Sequence, residues 1–200
     1  MIEISFPQAE ALLAGLWLLM RIGVWIRQGH IAPKRELALV LMYINLAVIL
    51  RFTFFPMARL DGRVQPLIFD AAALFPLRVD LVPLAHLLDY GSRRDLILNL
   101  AGNVGLFLPS GILFPALYRR LDGFWKVLAT GALLSLCIEV LQLPFSVRAT
   151  DVNDLILNTL GIAIGYGIYA CFAPLRHGRP DLVGEAAQNG GGDTSRRDGI

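Results

Sequence analysis

Glu139, Gln142, Arg148, Asp151, Asp154 and Asn158 all fall within LSLCIEVLQLPFSVRATDVNDLILNTLG, residues 134–161, a stretch otherwise apolar enough for a membrane. A charged side chain in hydrocarbon costs roughly 2.5–3.5 kcal/mol on insertion scales, so such residues face a protein interior or a wet cavity. Ser135, Glu139 and Gln142 recur at i, i+4, i+7, and Asp151, Asp154, Asn158 and Gly161 at i, i+3, i+7, i+10. Each spacing draws one polar stripe along a helix, so the stretch reads as a helical hairpin with a polar seam. Three kinds of chemistry suit these groups. Buried acids can act as general acid and base, and Glu139 and Asp154 are the catalytic candidates. Carboxylate and carboxamide oxygens can hold a divalent cation. Arginine forks can grip a phosphate or carboxylate.

The rest of the chain must position this seam. Its 200 residues are 56% hydrophobic and 17% charged, against about 25% charged in average soluble domains. Mean hydropathy is +0.59. These values point to an integral membrane protein, an all-α polytopic bundle. A net charge of +2 without a basic, aromatic-rich stripe excludes a nucleic-acid binder. Cys137 and Cys171 fall in predicted spans without CxxC spacing, and His30, His86 and His177 stand apart, so neither a disulfide nor a His/Cys metal centre is expected. No cofactor is expected beyond the divalent cation that the acids allow.

Five apolar runs are long enough to cross a hydrocarbon core of about 30 Å. They are residues 8–26, 36–56, 95–118, 124–145 and 152–173. Arg21, near the end of the first, is placed to snorkel. The second carries Arg51 in ILRFTFFP. Between spans two and three, residues 57–94 contain apolar patches broken by Pro66, Pro76 and Pro83 that are too short to span, which predicts an interfacial cap with short amphipathic helices. In span three Asp95, Asn99 and Asn103 share a face, Ala101 and Gly105 offer a small-residue contact, and Pro109 predicts a kink. Gly161, Gly165 and Gly167 give span five a GxxxG-like face. Residues 1–175 thus form one transmembrane domain, and the polar, glycine-rich residues 176–200 read as a disordered tail.

An outside N-terminus puts Arg27, Lys34, Arg35, Arg119, Arg120, Lys126, Arg176 and Arg179 in the cytoplasm and Arg59, Arg63, Arg78, Arg93, Arg94 and Arg148 outside. The small inside excess favours that orientation in a plasma membrane, with the C-terminus cytoplasmic. Glu139 is then about 9 Å and Arg51 about 7.5 Å from the outer helix ends at ~1.5 Å per residue. Asn103, Asp154 and Asn158 enter from the same side. Arg51, Asn103, Glu139, Gln142, Arg148, Asp151, Asp154 and Asn158 therefore converge in one leaflet beneath the cap.

Two readings fit this convergence. In one, Arg51 and Arg148 pair with Glu139, Asp151 or Asp154, and the carboxamides bond helix to helix, which makes the protein a structural partner subunit. In the other, the same eight residues line a half-buried pocket for an anionic lipid or lipid-linked cell-wall intermediate. An intramembrane enzyme acting on a lipid headgroup or polyprenyl phosphate is an alternative form of the second. No GxSxG, HExxH or histidine beside the acids supplies a nucleophile motif.

RFTFFP at 51–56, VDLVPL at 79–84, NLAGNVGLFLPSGILFP at 99–115, SLCIEVLQL at 135–143 and RATDVNDLILNTLGIAIGY at 148–166 occur in this order. Together they resemble the VanZ-like family of bacterial membrane proteins, associated with teicoplanin resistance. Asp80 departs from the asparagine more usual in the family. The resemblance implies a multi-pass cell-envelope protein that in some members modulates glycopeptide susceptibility, and it supplies no reaction. The motif positions it carries over are the eight residues that the helix faces select.

Overall fold

Helix ends are set by local chemistry that the sequence spells out. In a computed structural model, which describes residues 2–55, 59–60, 63–70, 79–80, 92–145 and 150–176, α1 runs from Phe6 to Gln28. It starts where the Ser5 amide donates to Gln8 Oε1 at 2.9 Å. It stops at Gly29, whose left-handed φ of 66° lets its N–H reach the Trp25 carbonyl. Helix α2, Pro33–Phe54, opens on a proline whose missing N–H would have no intrahelical partner. It ends because Pro56 drives Phe55 into extended backbone, φ −96° and ψ 131°. Ser92 caps α3, Arg93–Leu117, by accepting from the Arg94 amide at 3.1 Å. A 3₁₀ turn at Arg119–Leu121 leads to α4, Phe124–Gln142, and α5 spans Val152–Arg176.

All five helices are long and apolar enough to cross a membrane. The fold is the expected all-α bundle, with helix bounds within three residues of the sequence reading. Large apolar side chains stay on the outside, among them Leu19, Ile26, Leu133 and Leu141. On a soluble domain such surface would aggregate, and it is the surface that a membrane-crossing helix presents. The interior is built from Ile49, Phe54, Phe55, Phe107, Val127, Ile138 and Ile162, joined by Leu67 from the cap.

Helix α5 reaches α3 through bare backbone. A Cβ placed on Gly161 would lie 2.3 Å from the Val104 carbonyl oxygen, and one on Gly165 2.1 Å from that of Leu108. Gly111 answers from α3, its Cβ position 2.3 Å from the Ile162 oxygen. The small-residue face of α3 is therefore Gly111 and not Ala101 with Gly105, which are exposed. Gly167 likewise has open space beside it. Proline 109 leaves α3 a continuous helix, and Asn45 of α2 donates to the Leu106 carbonyl at 2.8 Å in the turn that the proline loosens.

One more expectation needs correcting. Arg21 does not snorkel; it is buried, pairs with Glu36 across the α1–α2 hairpin and lies 5.6 Å from the centroid of Trp25. A buried cation with an acid on the facing helix is held more strongly by that partner than by a distant interface. Within residues 57–94 short strands are described at 59–60, 63–64, 67–69 and 79–80, and the expected amphipathic helices lie outside the described residues. β2 (Arg59–Leu60) pairs with β3 (Arg63–Val64), and β4 (Leu67–Phe69) pairs antiparallel with β1 (Ile2–Ile4). β5 (Val79–Asp80) runs parallel to β6 (Thr150–Asp151). Pairing with chain ends and inter-helix turns gives the cap backbone its hydrogen-bond partners. The Asp70 amide also donates to the Pro144 carbonyl at 2.9 Å, and Phe145 packs edge-on against both Phe54 and Phe69.

Residues Met1–Tyr169 form one compact unit and Ala170–Ile200 a second, of which the end of α5 is described. The expected disordered tail, apart from Arg176 in α5, lies outside the described residues.

Candidate functional site

The end of α2, the start of α3, the end of α4 and the start of α5 meet beneath the strands. Their polar faces bond across the gaps. Asn103 Nδ2 donates to Asn99 Oδ1 at 3.0 Å on its own helix and to Asp154 Oδ1 of α5 at 2.6 Å. Gln142 of α4 donates through Nε2 to the Thr53 carbonyl in the last turn of α2 at 2.6 Å. Glu139 Oε2 accepts the Asp151 amide at 3.3 Å, and Asn158 Nδ2 donates to Ser135 Oγ at 2.9 Å. Glu139, Gln142, Asn158 and Ser135 are all buried.

A cavity of about 1100 Å³ opens over this floor, between α2 and α3. Asn99, Asn103, Glu139, Gln142, Asp154 and Asn158 line its cap end. Leu41, Ile44 and Val48 of α2 and Leu106, Ile112 and Leu113 of α3 line the rest. Gly102 and Gly105 widen it on the α3 side, since a side chain at either would meet open space. The cavity is thus polar at one end and, Asn45 apart, apolar along its length, the form of a small-molecule site with a few convergent polar groups.

Five of the eight expected residues line it: Asn103, Glu139, Gln142, Asp154 and Asn158. Arg51 does not. Its Nη1 donates to the Phe55 carbonyl at 3.1 Å, and its guanidinium lies 5.7 Å from the centroid of Phe6 and 5.5 Å from that of Phe52. It closes the C-terminus of α2 and is held by two aromatic faces. Asp151 does not line the cavity either: its Oδ1 accepts the Asn153 amide at 2.8 Å, the bond of an N-cap, and orders the start of α5. Arg148 lies outside the described residues, as do Arg78 and the Asp80 side chain.

Sequence reasoning missed Asn45. It is buried, lines the cavity and ties α2 to α3 twice, donating to the Leu106 carbonyl and accepting from Ser110 Oγ at 2.5 Å. Its signal was a lone carboxamide in the apolar run YINLAVIL. Without a polar neighbour one turn away it drew no stripe.

The floor presents carboxylate and carboxamide oxygens, and among the described lining residues the charged ones are Glu139 and Asp154. A divalent cation would have those two acids to use, because no group of three or more His, Cys, Asp or Glu converges among the described residues.

The profile of the VanZ/LLP1 family matches residues 39–173. This chain belongs to the VanZ/LLP1 family. Every lining residue, from Leu41 to Asn158, falls within the matched region, whereas α1 lies before it. The chain is also 35% identical over 79 residues to Protein VanZ of Enterococcus faecium. That similarity covers 40% of this chain and 46% of that protein. No solved structure matches the fold. For a VanZ/LLP1 protein, then, the family region coincides with the cavity and its walls.

Proposed function

We propose that this VanZ/LLP1 protein is a multi-pass cell-envelope protein that takes a membrane amphiphile into the α2–α3 cavity. The amphiphile is an envelope lipid or a lipid-linked cell-wall intermediate, and its capture modulates glycopeptide susceptibility. The polar head sits against Asn103, Glu139, Asp154 and Asn158, and the chain lies along the apolar groove. One observation carries this reading: one cavity is polar at the cap end and, Asn45 apart, apolar from there on. The α2 lining from Leu41 to Thr53 covers on the order of 18 Å at 1.5 Å per residue. That exceeds half of a core of about 30 Å, enough to hold an extended chain. The preferred orientation puts the cap end and the N-terminus outside and the C-terminus in the cytoplasm.

Gly105→Phe tests it. Gly105 lines the groove and a Cβ there has open space beside it, so a ring at this position has room to enter the groove. Wild type purified from membranes is expected to retain lipid by native mass spectrometry, and Gly105→Phe to lose about tenfold or more of it, a difference of about 1.4 kcal/mol. Expression of wild type, and not of the variant, is expected to shift teicoplanin susceptibility. Equal lipid retention at equal folded yield would overturn the reading.

A further inference from the structure

The end of the bundle opposite the cap carries a different surface. Helix α3 ends at Leu117 and α4 begins at Phe124, and both are long and apolar enough to cross a membrane, so the turn between them lies at a membrane surface. Arg119 and Arg120 in this turn and Lys126 in the first turn of α4 are exposed. None of the three makes an ion pair with a described residue. The acid of the same turn, Asp122, accepts from the Tyr169 hydroxyl at 3.4 Å instead. Backbone bonds fix the turn, the Leu121 amide donating to the Tyr118 carbonyl at 2.8 Å and the Asp122 amide to that of Arg119 at 3.2 Å. The stem of Lys126 folds back beside Gly123, where a Cβ would lie 3.7 Å from its Cδ. Two amphipathic rings flank these cations. Trp125 is 76% exposed although Phe124 packs edge-on against it at 5.0 Å, and Phe124 is itself edge-on to Tyr166 at 5.8 Å. Tyr118 is exposed as well. Such rings sit at the headgroup level of a bilayer, with the apolar body toward the acyl chains and the polar edge in water. A water-soluble anion gains nothing from them.

We propose that the α3–α4 turn is a docking surface for anionic glycerophospholipids of the leaflet opposite the cap, with Arg119, Arg120 and Lys126 at the phosphodiester and Tyr118 and Trp125 at the acyl boundary. Guanidinium groups bond phosphate oxygens in pairs, and the lysine adds a point charge. At a membrane surface each such cation favours anionic lipid by up to about fivefold. Phosphatidylcholine offers the same phosphate beside an ammonium of its own, and the three cations therefore discriminate against it. The surface lies at the other end of the bundle from the cavity floor, so its occupant is distinct from a lipid in the groove.

The test supplies phosphatidylglycerol or phosphatidylcholine with identical chains to the delipidated, full-length protein in detergent, and retention is read by native mass spectrometry. Wild type is expected to retain phosphatidylglycerol about tenfold over phosphatidylcholine, and the preference to shrink as ionic strength rises, because exposed charges are screened. The triple variant Arg119→Gln/Arg120→Gln/Lys126→Gln is expected to lose the preference while retaining phosphatidylcholine as before. Each single variant is expected to lower it by about threefold, which decides the matter even if the triple variant folds poorly. Gly105→Phe is expected to keep the preference, so that loss of groove binding and loss of headgroup selection are read separately. Equal retention of the two lipids by wild type would overturn the proposal. So would a preference that the triple variant keeps, or one lost with Gly105→Phe or with Arg93→Gln/Arg94→Gln at the cap end.

Discussion

Gly165→Leu is expected to yield no folded protein, and Gly165→Ala to lower stability by about 1–3 kcal/mol, the usual cost of overpacking a tight interior. The reason lies in what a new Cβ would meet. At Gly165 it is the Leu108 carbonyl oxygen at 2.1 Å, and the α-carbon of Gly111 at 3.0 Å. Both belong to the backbone of α3, so no rotamer change relieves the clash and the helices must separate. Separation would undo the contact on which membrane helices rely most, since lipid and leucine are equally apolar and close packing has to supply the difference. Gly161→Ala and Gly111→Ala should follow the same course, each meeting a backbone oxygen at 2.3 Å. Gly131→Ala meets side-chain atoms of Ile162 at 2.6–2.8 Å, and Ile162 is itself fully buried, so a smaller but real loss is expected. Gly102→Ala provides the control. It meets nothing, and alanine's helix propensity favours it by about 1 kcal/mol. Thermal unfolding in detergent and the monodisperse fraction would measure the series. A Gly165→Ala protein as stable as Gly102→Ala would refute this account of the α3–α5 contact.

The helices were legible because a span is long and its signal, sustained hydropathy, is additive over some twenty residues. Their ends were legible only to within three residues, because hydropathy fades gradually where single residues such as Gly29 and Pro33 dictate the backbone. The cavity floor was legible for a related reason: Asn99 and Asn103, Glu139 and Gln142, and Asp154 and Asn158 repeat at one-turn intervals, so each pair announces a helix face. Spacing could not say what a face confronts. Arg51 and Asp151 lie near the same stripes, yet each sits at a helix end, where unpaired backbone groups compete for its side chain. Their positions, in the last turn of α2 and directly before α5, carried that alternative, and the backbone takes both. Asn45 was not legible because its partners, Ser110 and the Leu106 carbonyl, are on another helix. The strands of the cap were hidden for the same reason. β1 and β4 are separated by more than sixty residues, and segments of two or three residues are too short to show a period.

The corrected positions alter the chemistry as well as the map. Arg51 is committed to the end of α2 and Asp151 to the start of α5, so helix-end chemistry holds the floor in place. Gln142 contributes in both senses, lining the cavity while its Nε2 satisfies the Thr53 carbonyl. The site is thus built from helix termini that close on one another, with Glu139, Asp154 and Asn158 among the residues lining the space between.

Asn45→Leu should cost about 2 kcal/mol, more than single membrane hydrogen bonds usually do. Interhelical hydrogen bonds in membranes average only ~0.6 kcal/mol, because the separated helices find other partners. Asn45 differs in three respects. It makes two bonds, to the Leu106 carbonyl and from Ser110 Oγ. Ser110 is fully buried, so its hydroxyl has no water to turn to. The Leu106 carbonyl sits three residues before Pro109, in a turn where the helix's own bonding is already weakened. Leaving a buried polar group unsatisfied costs about 1–3 kcal/mol, whereas replacing both partners by apolar groups can be nearly neutral. The double variant Asn45→Leu/Ser110→Ala should therefore recover part of the loss, with a coupling energy of about 1 kcal/mol. It should not recover all of it, since the Leu106 carbonyl still lacks the Asn45 amide. Unfolding measured for the two single variants and the pair would show this. If the two losses simply add, Asn45 and Ser110 do not act as a unit, and the α2–α3 wall of the cavity is held by packing alone.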